Sequence, residues 1–194
     1  MSQKHKNHKG NNAPKAATQP VVESVATPAP AEPVAVPASL TDIRGVLIQV
    51  AGGRLLLPNA TIAEVLSYST PDPVENVPSW LLGRTRWRGY RLPMIAFSQL
   101  AGIGQEDAGL GAKVVVLKAL GGHPRLPYFA MLTHGFPRLV TVTREGLEIE
   151  TDDTSALPVG VQARVQLNEV HAFLPDLLAV EQLIADALNE AEAA

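Results

Sequence analysis

Cysteine is absent from the 194 residues, which excludes disulfides, thiolate metal sites and cysteine nucleophiles. No apolar run approaches the ~18–20 residues that would cross a bilayer as a helix, so no membrane insertion is expected. The basic opening Met1-Ser2-Gln3-Lys4-His5-Lys6 is followed by no apolar segment and lacks the form of a secretory signal. The expected location is the cytoplasm. Aromatic residues make up only 5% of the chain and do not interleave along adjacent strand segments, as a base-stacking platform requires. The formal net charge of −3 gives no argument for nucleic acid or an anionic membrane as partner.

Patterns that carry catalysis are missing as well. The acidic pairs Asp152-Asp153 and Glu106-Asp107 fall in polar, loop-like segments and are expected to be solvated rather than an acid–base couple. Ser98, Ser155 and His134 sit in no nucleophile elbow, and His134 is expected to be a structural histidine at a strand end. Gly102-x-Gly104 and Gly109-x-Gly111 do not lead from a strand into a helix, as a dinucleotide fingerprint must. His5 and His8 lack the fixed geometry of a metal site. The chain is expected to be no enzyme and to need no cofactor or metal.

What is present divides unevenly. Residues 1–39 hold four lysines against Glu23 and Glu32, so the region beyond carries about five excess negative charges. From residue 13 to 39 the chain is mostly Ala, Pro, Val and Thr, with Pro14, Pro20, Pro28, Pro30, Pro33 and Pro37. Such a stretch neither propagates helix nor pairs as a central strand. A disordered basic arm is expected over 1–39, followed by one domain over 40–194.

Within that domain, short apolar segments bounded by Gly or Pro predict strands at 46–50, 54–57, 85–87, 92–97, 113–119, 127–133, 138–142 and 165–173. Gly52-Gly53 and Arg88-Gly89 suit two-residue hairpin turns. Helical pieces are expected at 60–66 and 78–82. A longer helix is expected over 176–191, where Leu177, Leu178, Val180, Leu183, Ile184, Ala187 and Leu188 recur at helical spacing behind a cap at Asp176. Many short strands with punctuating turns indicate a mainly β, barrel-type fold.

The most informative stretch is Gly83-Arg84-Thr85-Arg86-Trp87-Arg88-Gly89-Tyr90-Arg91-Leu92-Pro93-Met94-Ile95. Alternation places Arg84, Arg86 and Arg88 on one face and Thr85 and Trp87 on the other. The arginines then form either a docking surface, as interface anchors often do, or merely a solvated strand face. A second class of function, a small barrel binding single-stranded nucleic acid, is open to a chain with arginines, two tryptophans and a basic arm. The net acidic charge of the barrel region speaks against it.

Gly, a short strand, Arg-Gly and then Leu-Pro-hydrophobic-hydrophobic resembles the central signature of CheW-like domains, the chemotaxis coupling proteins. Gly45-Val46-Leu47-Ile48-Gln49-Val50, Gly52-Gly53 and Arg54-Leu55-Leu56-Leu57-Pro58 are similar to that family's opening hairpin. Ile62-Ala63-Glu64-Val65 is similar to its Val-x-Glu-hydrophobic segment, and Val77-Pro78-Ser79-Trp80-Leu81-Leu82-Gly83 to its Pro-x-hydrophobic-x-x-Gly. The resemblance implies two intertwined five-stranded, SH3-like barrels, over about 44–115 and 116–170, with short helices and the C-terminal helix. It implies a non-enzymatic adaptor between the cytoplasmic tip of a methyl-accepting receptor and a CheA-type histidine kinase. Partner binding would then fall to Arg88 and Gly89, with Ile62 and Glu64 matching neighbouring family positions. Arg86 has no family counterpart and is added as a candidate for its place in the arginine cluster. Thr85-Arg86-Trp87 stands where the family usually carries Asn, and Ala96-Phe97 where it usually carries Asp-Leu. These departures resemble the ChpC-type branch of chemosensory pili systems, which implies an output through type IV pili and twitching motility.

Overall fold

Short apolar segments become eleven strands among the described residues of the computed structural model, which are 42–151 and 156–194. The arm expected at 1–39 with His5 and His8, and the loop residues Asp152, Asp153 and Ser155, lie outside the described residues. In chain order the strands are β1 Ile43–Val50, β2 Gly53–Pro58, β3 Ile62–Ser67, β4 Leu81–Trp87, β5 Tyr90–Ile95, β6 Ala112–Lys118, β7 Tyr128–His134, β8 Arg138–Val142, β9 Leu147–Ile149, β10 Val161–Leu167 and β11 Val170–Pro175. Two α-helices accompany them, α1 Phe97–Ala101 and α2 Leu177–Ala193.

Strands from both ends of the chain build the first sheet, in the order β8-β1-β2-β11-β10-β9, while the middle builds the second, β3-β6-β7-β5-β4. The fold is mainly β, as expected, with a sixth strand in the first sheet from the three-residue β9. The expected division near 115/116 falls inside β6, which pairs along its length with β7 and on its other side with β3.

Each sheet wraps its own apolar cluster. Leu47, Leu56, Val142, Val165, Leu167 and Ala172 fill the first, and Trp87, Leu92, Met94, Val114, Val116 and Ala130 the second. Alternate residues of the same strands point the other way. Val46, Ile48, Leu55, Leu57, Val115, Leu117, Phe129 and Met131 meet α1 and α2 in a third cluster shared by the two sheets. Burying such side chains contributes about 1.5–3 kcal/mol each, so one set of strands feeds two cores. Asp176 caps α2 by accepting from Ala179 N at 3.0 Å. Leu177, Val180, Ile184 and Ala187 face the shared core. Leu178, expected in that stripe, is exposed, because one residue along a helix turns about 100° away.

Several local expectations fail where tertiary pairing overrides propensity. The helix expected at 60–66 is a 3₁₀ turn at Asn59–Thr61 followed by β3, whose backbone pairs with β6. At 78–82 there is a turn and then the start of β4, where Leu81 pairs with Ile95. The strand expected at 92–97 stops at Ile95, and Phe97 opens α1. The strand expected at 165–173 is two strands, β10 and β11, reversed at Asn168, whose φ is +54°. The first hairpin turns at Ala51-Gly52, since Gly53 already pairs with Val50.

Candidate docking site

The hairpin β4–β5 turns at Arg88-Gly89, with Trp87 and Tyr90 as the closing pair. Both turn residues have positive φ, +45° and +85°, the pattern of a type I′ turn. At the far end of β4, Gly83 has φ +134° and lies so close to the chain at Asp72 that a Cβ would come within 2.3 Å of the Asp72 carbonyl oxygen. That approach lets Asp72 and Arg84 exchange two backbone hydrogen bonds, of 2.7 and 2.8 Å. Asp72 is thereby held against the hairpin.

Arg88 therefore sits in the turn and not on the strand face with Arg84 and Arg86, as alternation had suggested. Its guanidinium folds back over the buried Trp87, 5.1 Å from the ring centre, and Nη2 lies 2.9 Å from Glu64 Oε2. The same oxygen accepts a 2.8 Å hydrogen bond from Trp87 Nε1. β3 and β4 are the two edges of the second sheet, so Glu64 joins edge to edge as the sheet curls. The structure thus brings Arg88, Gly89 and Glu64 together.

Ile62 and Arg86 are placed elsewhere. Ile62 opens β3 and packs partly buried against the shared core. Arg86, 82% exposed, lies 3.7 Å from Asp72, which Arg91 also approaches at 3.3 Å. Arg84 reaches Glu192 of α2 at 3.8 Å. Each of these arginines thus faces a carboxylate of its own chain. Sequence reasoning missed Tyr90 and Tyr128, which stack edge-on at 5.7 Å, Tyr128 also lying 4.9 Å from Trp87. The place of Tyr90 beside the turn was a signal for the first; nothing local marks Tyr128, which β7 delivers from across the sheet.

A second polar cluster corrects one expectation. Glu106, read as a solvated loop acid, has a fully enclosed side chain whose Oε2 is 2.9 Å from His134 Nε2. Its Oε1 accepts from Ser98 Oγ at 2.6 Å and from Ala51 N at 3.2 Å. Although Ser, Glu and His meet here, the carboxylate stands between serine and imidazole. His134 cannot take a proton from Ser98 in that order, and the trio acts as a tie between the first hairpin, α1 and β7. On α2 the buried Glu181 plays a similar part, accepting from Leu120 N and Gly121 N at 2.6 and 2.7 Å.

The crystal structure of the scaffolding protein TtCheW from Thermoanaerobacter tengcongensis is similar in fold, with a TM-score of 0.58 at 14% identity, covering 69% of this chain and 88% of that one. Among curated proteins no sequence match reaches significance. A family model described as the CheW-like domain matches residues 44–185, from the first hairpin into the middle of α2. That match takes in both sheets and the Arg88 turn, and the chain belongs to the CheW-like domain family.

Proposed function

We propose that this CheW-like protein is a non-enzymatic signalling adaptor in the cytoplasm, holding the cytoplasmic tip of a methyl-accepting receptor and a CheA-type histidine kinase in one assembly. Its contribution is geometric. Two faces of one rigid body set a coupling free energy between two binding events, and no chemistry is required of the adaptor. Family membership supports the scaffold role. Among the described residues no helix is long and apolar enough to cross a membrane.

The observation that carries the docking assignment is the backbone of Arg88. Among the described residues other than glycine, positive φ occurs at Asn76, Arg88 and Asn168. Asn tolerates that conformation, whereas an ordinary L-residue is disfavoured there by about 1–2 kcal/mol. A type I′ turn prefers Asn or Gly at this position, yet the chain keeps a long cation whose side chain is 68% exposed. Strain retained at a solvent-facing turn points to use of the side chain. Arg88→Asn should therefore preserve or raise the melting temperature while weakening binding to kinase or receptor tip at least about tenfold. Wild-type affinity for both would overturn the docking role.

For the output, the departures at Thr85-Arg86-Trp87 and Ala96-Phe97 support the ChpC-type branch and hence type IV pili. Trp87, the last residue of the segment that departs from the family's usual Asn-bearing strand, is the donor that seats Glu64. Deleting the gene in its native cell should abolish twitching and leave swimming intact; the reverse pattern would overturn the assignment.

A further inference from the structure

The aromatic residues at the mouth of the second sheet do more than close it. Trp87 is buried and Tyr128 half-buried, but Tyr90, the ring that stacks against both, is 48% exposed. Its centroid lies 5.7 Å from Tyr128 and 6.2 Å from Trp87, within the range of favourable aromatic pairing. As the register partner of Trp87 it shares the Trp87 face of the hairpin, which the Arg88 guanidinium also covers. Lys118, the register partner of Tyr128, adds a second cation, its Nζ held by the Ala60 carbonyl at 2.9 Å. The acid here is Glu64, already engaged by Trp87 Nε1 and Arg88.

We infer that Tyr90 is the apolar anchor of the docking surface, and that its partner presents an apolar pocket bordered by carboxylates. The inference rests on the adaptor reading above. A ring already immobilised by two aromatic neighbours loses little conformational entropy on binding, and Tyr beside Arg is the composition of interface hot spots. Arg88 and Lys118 against one engaged carboxylate give the mouth a positive bias, although the barrel region as a whole is acidic. That charge contrast selects an acidic rim on the partner.

The test is isothermal titration of the full chain against the regulatory domain of the kinase and against a receptor-tip fragment, at low and high salt. Wild type, Tyr90→Ala, Tyr90→Phe, Tyr90→Thr and Arg88→Asn are compared, each with its melting curve. Tyr90→Ala should weaken the partner that Arg88→Asn also weakens, by about thirtyfold or more, with Tyr90→Phe within about twofold of wild type. Tyr90→Thr, whose branched side chain suits a strand, should repeat the loss should the alanine variant unfold. Higher salt should weaken wild type more than Arg88→Asn. Retained affinity in Tyr90→Ala or Tyr90→Thr, where Arg88→Asn loses it, overturns the anchor and leaves the adaptor reading standing. A loss in Tyr90→Phe equal to that in Tyr90→Ala assigns the contact to the hydroxyl and also overturns it. Self-association abolished by Tyr90→Thr, with both partners bound normally, gives the face to a second copy and overturns it. Failure of wild type to bind either partner overturns the adaptor reading itself.

Discussion

Replacing Glu64 separates the structural and docking roles that meet at the hairpin turn. Glu64 Oε2 serves Trp87 Nε1 at 2.8 Å and Arg88 Nη2 at 2.9 Å. Trp87 is buried, and a buried donor left without its acceptor costs about 1–3 kcal/mol. The Arg88 end is exposed, and a pair of that kind contributes about 0.2–1 kcal/mol. Glu64→Ala should therefore lower stability by about 2 kcal/mol, and Arg88→Ala by no more than about 1 kcal/mol. In a Trp87→Phe background the indole donor is gone, so Glu64→Ala should lose only the ion-pair part. The assay is urea unfolding of the four proteins and the double variant. With a slope of about 2 kcal/mol per molar urea, Glu64→Ala moves the midpoint by about 1 M while Arg88→Ala moves it by no more than half of that. Equal shifts for the two single variants would refute the reasoning, as would a Glu64→Ala cost undiminished by Trp87→Phe, since coupled residues must show non-additivity.

Ile184→Ala should destabilise by about 2–5 kcal/mol, because Ile184 is fully enclosed where α2 meets the shared core; a melting curve within a degree of wild type would show α2 to be undocked. Glu106→Ala should cost about 1–3 kcal/mol by stripping Ala51 N of its acceptor, while Ser98 Oγ keeps the Ala51 carbonyl at 2.7 Å; this is read as a lowered unfolding midpoint, and an unchanged midpoint would show the tie to be dispensable. A chain beginning near Leu40 should melt within a few degrees of the full chain, because residues 1–39 offer no periodic apolar face to pack; a large fall would move the domain boundary.

Much of this protein was legible in the chain itself. Short apolar runs at 46–50 and 54–57 marked strands, because a strand that feeds a core on each face reads as a nearly continuous apolar run. The Arg88-Gly89 turn and the Asp176 cap were readable because each is a short-range device whose partners lie within a few residues. The segments 60–66 and 78–82 were misread because their backbone groups find partners in β6 and β5, far along the chain. The site divided in the same way. Arg88, Gly89 and Glu64 were named from motif positions, but their meeting depends on the curl that brings β3 against β4, edges separated by three strands. The burial of Glu106 and Glu181 was invisible locally, since a carboxylate in a polar loop or on a helix is enclosed only when donors such as Ala51 N and Leu120 N arrive from elsewhere. Residue type and spacing determined the strands, the turn and the cap. Only the closure of each sheet on its own core decided which acid the turn arginine meets and which tyrosine faces the solvent beside it.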